Sequence, residues 1–182
     1  MRLIERTTRE NIGQSKRWLR DKMETLRTRA RSVILENRDQ LVRWPEKGKM
    51  YLFLYLPENE KKLKYFDRAP LVLPIDKQRN TRNFRALNFH YIFPQYRYEI
   101  ITKLLENGND ETRVKRNLDK FLRYANGDDA ATFLKTYSYN NCRSMFLEIP
   151  INEWEYATAL PIEHFKKKHK SVAWKDTRRE LL

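Results

Sequence analysis

Gly48-Lys-Met-Tyr-Leu-Phe-Leu-Tyr-Leu-Pro57, Tyr65-Phe-Asp-Arg-Ala-Pro-Leu-Val-Leu-Pro-Ile-Asp76 and Ala86-Leu-Asn-Phe-His-Tyr91 are three short blocks of aromatic, leucine and β-branched residues. Each is closed by Pro, Asn, Asp or Lys. Such blocks are the signature of strands in a small, mostly antiparallel sheet whose two faces are both covered. Strands are expected over residues 49–56, 69–76 and 84–92, with a charged loop over 57–64 and a polar, basic turn over 78–83. Pro70 and Pro74 are awkward inside a sheet, so the second strand should be an edge strand or contain a bulge. Residues 144–149 read as a fourth strand.

Working outward, residues 7–42 read as one long helix. Ile12, Leu19, Leu26 and Val33 recur every seven positions, with Met23 and Ala30 between them, giving an apolar stripe along one side. Thr7 and Glu10 can form a capping box, or the helix can start at Ser15 beyond Gly13. The stripe fits either the protein's own β core or a helix face of a neighbouring subunit. Trp44-Pro45 ends the helix, because proline disfavours helical geometry in the residue before it.

After the third strand, Pro94 suits a first helical turn, and Tyr98, Ile101, Leu104 and Leu105 supply an apolar face. A second helix is expected over residues 111–125, burying Val114, Leu118, Phe121 and Leu122, with Gly127 in the C-terminal glycine position. Residues 129–142 suggest a short helix around Phe133. Asn152 can cap a short helix that Pro161 ends. The chain therefore reads as α+β: a small, partly closed antiparallel β-sheet or SH3-like barrel, with a long N-terminal helix and a helical insertion before the last strand. Its expected parts are a basic amphipathic helix at 1–46, an α+β core domain at 47–165 and a basic tail at 166–182.

The 182 residues carry 38 Lys and Arg against 24 Asp and Glu, a formal charge of +14. An excess of this size favours a polyanionic partner: nucleic acid, an acidic protein surface or an anionic membrane. An aromatic content of 13% argues against disorder. Cys142 is the only cysteine, so no disulfide within the chain and no cysteine metal site is possible, in keeping with assembly in a reducing cytoplasm. No apolar stretch approaches the ~20 residues that span a bilayer. Arg2, Glu5 and Arg6 lead into no apolar run, so no secretory signal and no membrane insertion are expected.

Little in the chain points to catalysis. With four glycines there is no phosphate-cradling loop and no dinucleotide fingerprint. His90 alternates with core-facing residues and reads as a hydrogen-bonded structural histidine. His164 and His169 lie beside lysines, without the thiolates or carboxylates of a zinc site. A nuclease needs carboxylates converging on a divalent cation. Asp67, Asp76 and Glu148 are the candidates, although Asp67 equally suits a pair with Arg68 or a turn cap. No enzyme activity, cofactor or metal is expected.

The cationic side chains concentrate in the first helix, the 61–64 loop, the 77–85 hairpin and the tail. The second insertion helix adds Arg113, Lys115, Arg116, Lys120 and Arg123. The candidate DNA-binding residues are Lys61, Lys62, Arg79, Arg82, Arg85, Lys166, Lys167, Lys168, Lys170, Lys175, Arg178 and Arg179. No motif for reading base sequence is present, so backbone binding indifferent to sequence is expected. Tyr51, Tyr55, Tyr96 and Tyr98 are candidates for stacking on exposed bases, against a default of core packing.

The ordered blocks resemble a family of tailed-bacteriophage virion proteins, the DNA end protector or head-completion proteins of contractile-tailed phages. Trp18 with residues 22–29, then 48–55, 65–75 and 87–91, and finally Glu153-Trp154 through Lys168 carry the resemblance. It departs at Arg79–Arg85, where a glycine-bearing turn is expected, and over 110–139. The resemblance implies a virion protein, assembled in the host cytoplasm, that protects ends of packaged DNA and prepares the head for tail attachment. It implies double-stranded DNA or DNA ends and portal or neck proteins as partners, with several copies in a symmetric assembly. It carries over no catalytic residues. The alternative is a purely structural adaptor of the neck, tail or baseplate, its basic faces docking acidic protein partners.

Overall fold

A computed structural model describes residues 9–28, 31–77, 82–106, 108, 110–124, 132–159 and 165–181. Six strands form one sheet: β1 (Leu41–Val42), β2 (Met50–Leu52), β4 (Leu71–Lys77), β5 (Asn83–Asn88), β6 (Leu134–Ser138) and β7 (Phe146–Ile149). They lie in the order β1-β7-β2-β4-β5-β6, and every neighbouring pair is antiparallel. Two further strands, β3 (Phe66–Asp67) and β8 (Phe165–Lys166), pair with each other in a separate two-stranded sheet. The α+β reading and the antiparallel sheet hold. The SH3-like barrel does not form, because β1 and β6 remain as separate edges.

The unbroken apolar runs have a simple cause: successive strand residues point to opposite faces, and both faces are buried. Met50, Leu52, Leu71, Leu73, Leu87, Leu147 and Ile149 face the helices. Tyr51, Phe53, Val72, Phe84, Ala86, Tyr137 and Phe146 form the opposite face. No helix among the described residues contributes to that aromatic face. Its rings close it on themselves, Phe53 lying 4.8 Å from Phe146 and 5.4 Å edge-on from Tyr137. Trp44 and Tyr139, 4.7 Å apart edge-to-face, continue the aromatic cover.

The helical layer comprises α1 (Arg9–Arg27), α2 (Arg31–Glu36), α3 (Pro94–Leu104), α4 (Glu111–Tyr124), α5 (Trp154–Ala159) and α6 (Lys170–Leu181). Met23 and Leu26 of α1 are buried in the main core, with Trp18 and Leu19 packed against it. The Trp18 indole donates to Glu153 at 2.6 Å, and Lys22 pairs with the same carboxylate at 3.0 Å. The described part of the apolar stripe therefore lies on the chain's own core. Ala30 is outside the described residues, as are the side chains of Ile12 and Val33.

Two local expectations are corrected. The single helix over 7–42 is interrupted at Thr28 and ends at Glu36, followed by a turn over 37–40 that leads into β1. Residues 134–138 are strand β6, paired in register with β5, and not a helix around Phe133. The second strand contains the bulge expected of it, between Pro74 and Asp76, and lies centrally between β2 and β5, with Pro70 just ahead of it. Gly48 opens β2 with φ +85°, where a Cβ would stand 2.6 Å from the Lys115 side chain.

Candidate nucleic-acid interface

The β3–β8 ladder pairs Phe66 with Lys166 and Asp67 with Phe165, which sets the C-terminal lysine run against the 57–64 loop. Lys167 follows with φ +72°. Its ammonium donates to the carbonyls of Glu60, of Lys61 at 3.1 Å and of Leu63 at 2.9 Å. This residue therefore ties the loop to the ladder.

Beside the ladder lies a cleft of about 320 Å³, whose walls include Arg27 from α1, Arg68 from the turn after β3, Arg143 and Lys166. It continues through Leu56, Arg68 and Lys166 into a shallower depression of about 400 Å³ that adds Lys61 and Lys167. Arg143 is placed by a backbone bond from its N–H to Leu54 at 2.7 Å, and by the Tyr55–Cys142 bridge that extends the β2–β7 pairing. The main cleft has no carboxylate on its wall, and Arg27, Arg68, Arg143 and Lys166 make no ion pair among the described residues. Four uncompensated cations held around one concavity repel one another and focus a positive field into it. Three of them are guanidiniums, whose planar fork matches phosphate oxygens.

Elsewhere the sequence candidates are dispersed. Arg85 is paired with Asp76 at 2.5 Å, and neither it nor exposed Arg82 borders the cleft. Lys62, Lys168 and Lys175 are exposed, and Lys170 sits 5.4 Å from the Trp174 ring centroid on α6. Arg79 lies outside the described residues, as do His164 and the side chains of Arg178 and Arg179. The C-terminal lysine run continues into a docked helix: the Trp174 indole donates to the His90 carbonyl at 3.1 Å, and Ala173 is buried. Tyr51 is enclosed in the aromatic face, whereas Tyr55 borders the cleft. Burial pushes the Tyr55 hydroxyl above its ordinary value, with hydrogen bonds from the Ser138 N–H and the Asn141 side chain pulling less strongly the other way. Tyr96 and Tyr98 lie on α3, where Tyr96 rests against the core.

The carboxylates of the nuclease reading have separate partners. Asp67 is bonded to His90 at 2.6 Å, Asp76 to Arg85, and Glu148 to Lys49 at 3.3 Å. No three His, Cys, Asp or Glu side chains group as metal ligands among the described residues. Burial pushes the Cys142 thiol up to about 12, so it is un-ionised at neutral pH.

Sequence reasoning missed Arg68 and Arg143, whereas Arg27 belongs to the basic surface of the first helix that it singled out. Arg68 and Arg143 are isolated cations in sequence, and the ladder beside the cleft consists of two-residue strands. The one available signal was Arg68 within the Tyr65–Asp76 block.

The described residues thus gather Arg27, Arg68, Arg143 and Lys166 around one cleft of a small α+β chain. The family model described as Phage T4 terminal DNA protecting protein matches residues 4–180, and the chain belongs to that family. Comparison with curated proteins gives no significant match, and neither does comparison with solved structures. No helix among the described residues is long and apolar enough to cross a membrane.

Proposed function

We propose that this chain is a non-enzymatic virion protein of the phage head or neck that binds ends of packaged double-stranded DNA without sequence specificity, and helps complete the head before tail attachment. The observation that carries DNA binding is the cleft in which Arg27, Arg68, Arg143 and Lys166 meet without a carboxylate. Such a cleft contacts phosphates and is blind to base identity. Family membership supplies the end-protecting role, and the head and neck placement is this reading's extension of it. Portal or neck proteins are the partners proposed, in a multi-copy assembly.

The test is exonuclease protection of linear duplex by the purified chain at low and moderate salt, with covalently closed circular DNA as competitor. Protection that the circle competes poorly is the expected result. Competition by the circle equal to that by linear duplex would reduce the reading to general phosphate binding. Absence of any protection would favour a structural adaptor whose basic faces dock acidic proteins.

A further inference from the structure

Phosphates occur along the whole of a duplex, so a cationic cleft marks an end only if it prefers a group that an end alone carries. A strand terminus can carry a phosphate monoester, with a charge of about −1.5 to −2 at neutral pH and three acceptor oxygens. An internal phosphodiester has a single charge and a sugar on either side, and in a duplex it offers only its outward edge.

Arg68 and Arg143 are anchored for a two-sided grip. The peptide unit between Leu54 and Tyr55 holds both: its carbonyl accepts the Arg143 N–H at 2.7 Å, and its N–H donates to the Arg68 carbonyl at 2.9 Å. The two groups of a trans peptide point in opposite directions, so the arginines stand on opposite flanks of this segment. Their backbones are two strand spacings apart, about 10 Å, a gap that one phosphate between two guanidinium forks fills. The pairing of Lys166 with Phe66, two residues before Arg68, adds an ammonium on that flank. Between the cations the wall is apolar, with Met23, Leu54, Leu56, Ala69 and Phe165. A low-dielectric wall ringed by one sign of charge strengthens each attraction. The adjoining depression carries Glu60, so a dianion is better placed in the main cleft.

We propose that the main cleft takes a terminal phosphate monoester of a DNA strand, gripped between Arg68 and Arg143, and by it tells an end from the interior. The proposal rests on the DNA-end reading and names the group that the cleft selects. The internucleotide phosphates that follow lie against Arg27 and Lys166. The test uses the full chain and a DNA hairpin with one open end, bearing a 5′-phosphate, a 3′-phosphate or hydroxyls alone. A dumbbell of the same sequence, closed at both ends, reports backbone binding.

A phosphorylated hairpin should bind about tenfold more tightly than the hydroxyl hairpin, the size expected for an added charge-assisted hydrogen bond. The strand end that gives the gain identifies the source of the phosphate. In Arg68→Ala and Arg143→Ala this ratio should fall towards one. Arg68→Lys keeps the charge but not the fork, so it should lower the ratio while leaving affinity for the dumbbell near that of the parent chain. Arg85→Ala, at a site paired with Asp76, should keep the parental ratio. Circular dichroism checks the fold, and Arg68→Lys decides the matter if the alanine variants do not fold. Equal affinity for phosphorylated and hydroxyl hairpins, or a ratio that survives loss of Arg68 and Arg143, would overturn this inference and leave backbone binding standing. Failure to bind any of the DNAs would overturn both.

Discussion

Asp67 shows at the scale of one residue how a side chain that resembles a catalytic acid is committed to structure. Its Oδ2 meets His90 Nδ1 at 2.6 Å, and its Oδ1 accepts the Ala69 N–H at 3.1 Å. Asn88 continues the network to the Tyr137 hydroxyl at 2.7 Å. His90 Nε2 is buried without a partner among the described residues, a cost of about 1–3 kcal/mol. Burial pushes the Asp67 carboxyl up, but the His90 charge and the hydrogen bonds outweigh it and hold the group below its ordinary value. A carboxyl depressed in the folded state adds stability that is complete above the unfolded value of about 3.9 and disappears as pH falls through the folded one. Asp67→Asn should therefore destabilise the protein at pH 7 by roughly 3–5 kcal/mol, the cost of removing one partner from a buried pair. The deficit should shrink in thermal melts as pH falls below about 4. A deficit that stays constant down to pH 2.5 would remove Asp67 as the titrating partner.

Between elements, the β3–β8 ladder is the join on which the cationic cleft depends, and Lys167 secures it from a left-handed backbone conformation. Lys167→Ala removes the ammonium from three carbonyls and keeps an unfavourable φ. Lys167→Gly removes the ammonium but relieves the backbone. Both variants should raise amide hydrogen exchange over residues 59–68 about tenfold, as loss of ~1–2 kcal/mol of hydrogen bonding implies. The glycine variant should melt above the alanine variant, and the reverse order would mean that the φ is relaxed in solution. The same scale explains what the sequence revealed. Strands whose faces are both buried appear as apolar runs, so β2, β4 and β5 were legible. β6 was not, because Leu134, Lys135 and Thr136 are incompletely buried and Tyr137 alone is fully enclosed, leaving a mixed pattern beside an edge. The heptad stripe was read correctly as apolar but not as interrupted, since nothing in Glu24 to Val33 announces the break at Thr28. The open sheet was illegible because closure depends on whether the outermost strands meet, and two-residue β1 carries almost no pattern.

Across the whole molecule, the charge of +14 is unevenly neutralised. Lys22, Lys47, Lys49, Arg85, Arg113 and Lys115 all face carboxylates. The four cations of the main cleft do not among the described residues, so unpaired positive charge gathers where β3, β8, α1 and the segment before β7 converge. That distribution has a thermodynamic signature. Each phosphate neutralised on duplex DNA releases counterions and contributes about −0.9 to the slope of log affinity against log salt. Four cleft cations should give a slope of about −3.6 for linear duplex in fluorescence anisotropy between low and moderate salt. Arg68→Ala and Arg143→Ala should each make the slope shallower by about 0.9, and the double variant by about 1.8. Arg85→Ala is the informative comparison, because it removes the same formal charge from a site already neutralised by Asp76. It should leave the slope near that of the parent chain. If Arg85→Ala flattened the slope as much as Arg68→Ala, the DNA would be responding to the net charge of the whole chain. A change confined to Arg68 and Arg143 would locate the phosphate path in the cleft and fix the side from which a DNA end enters.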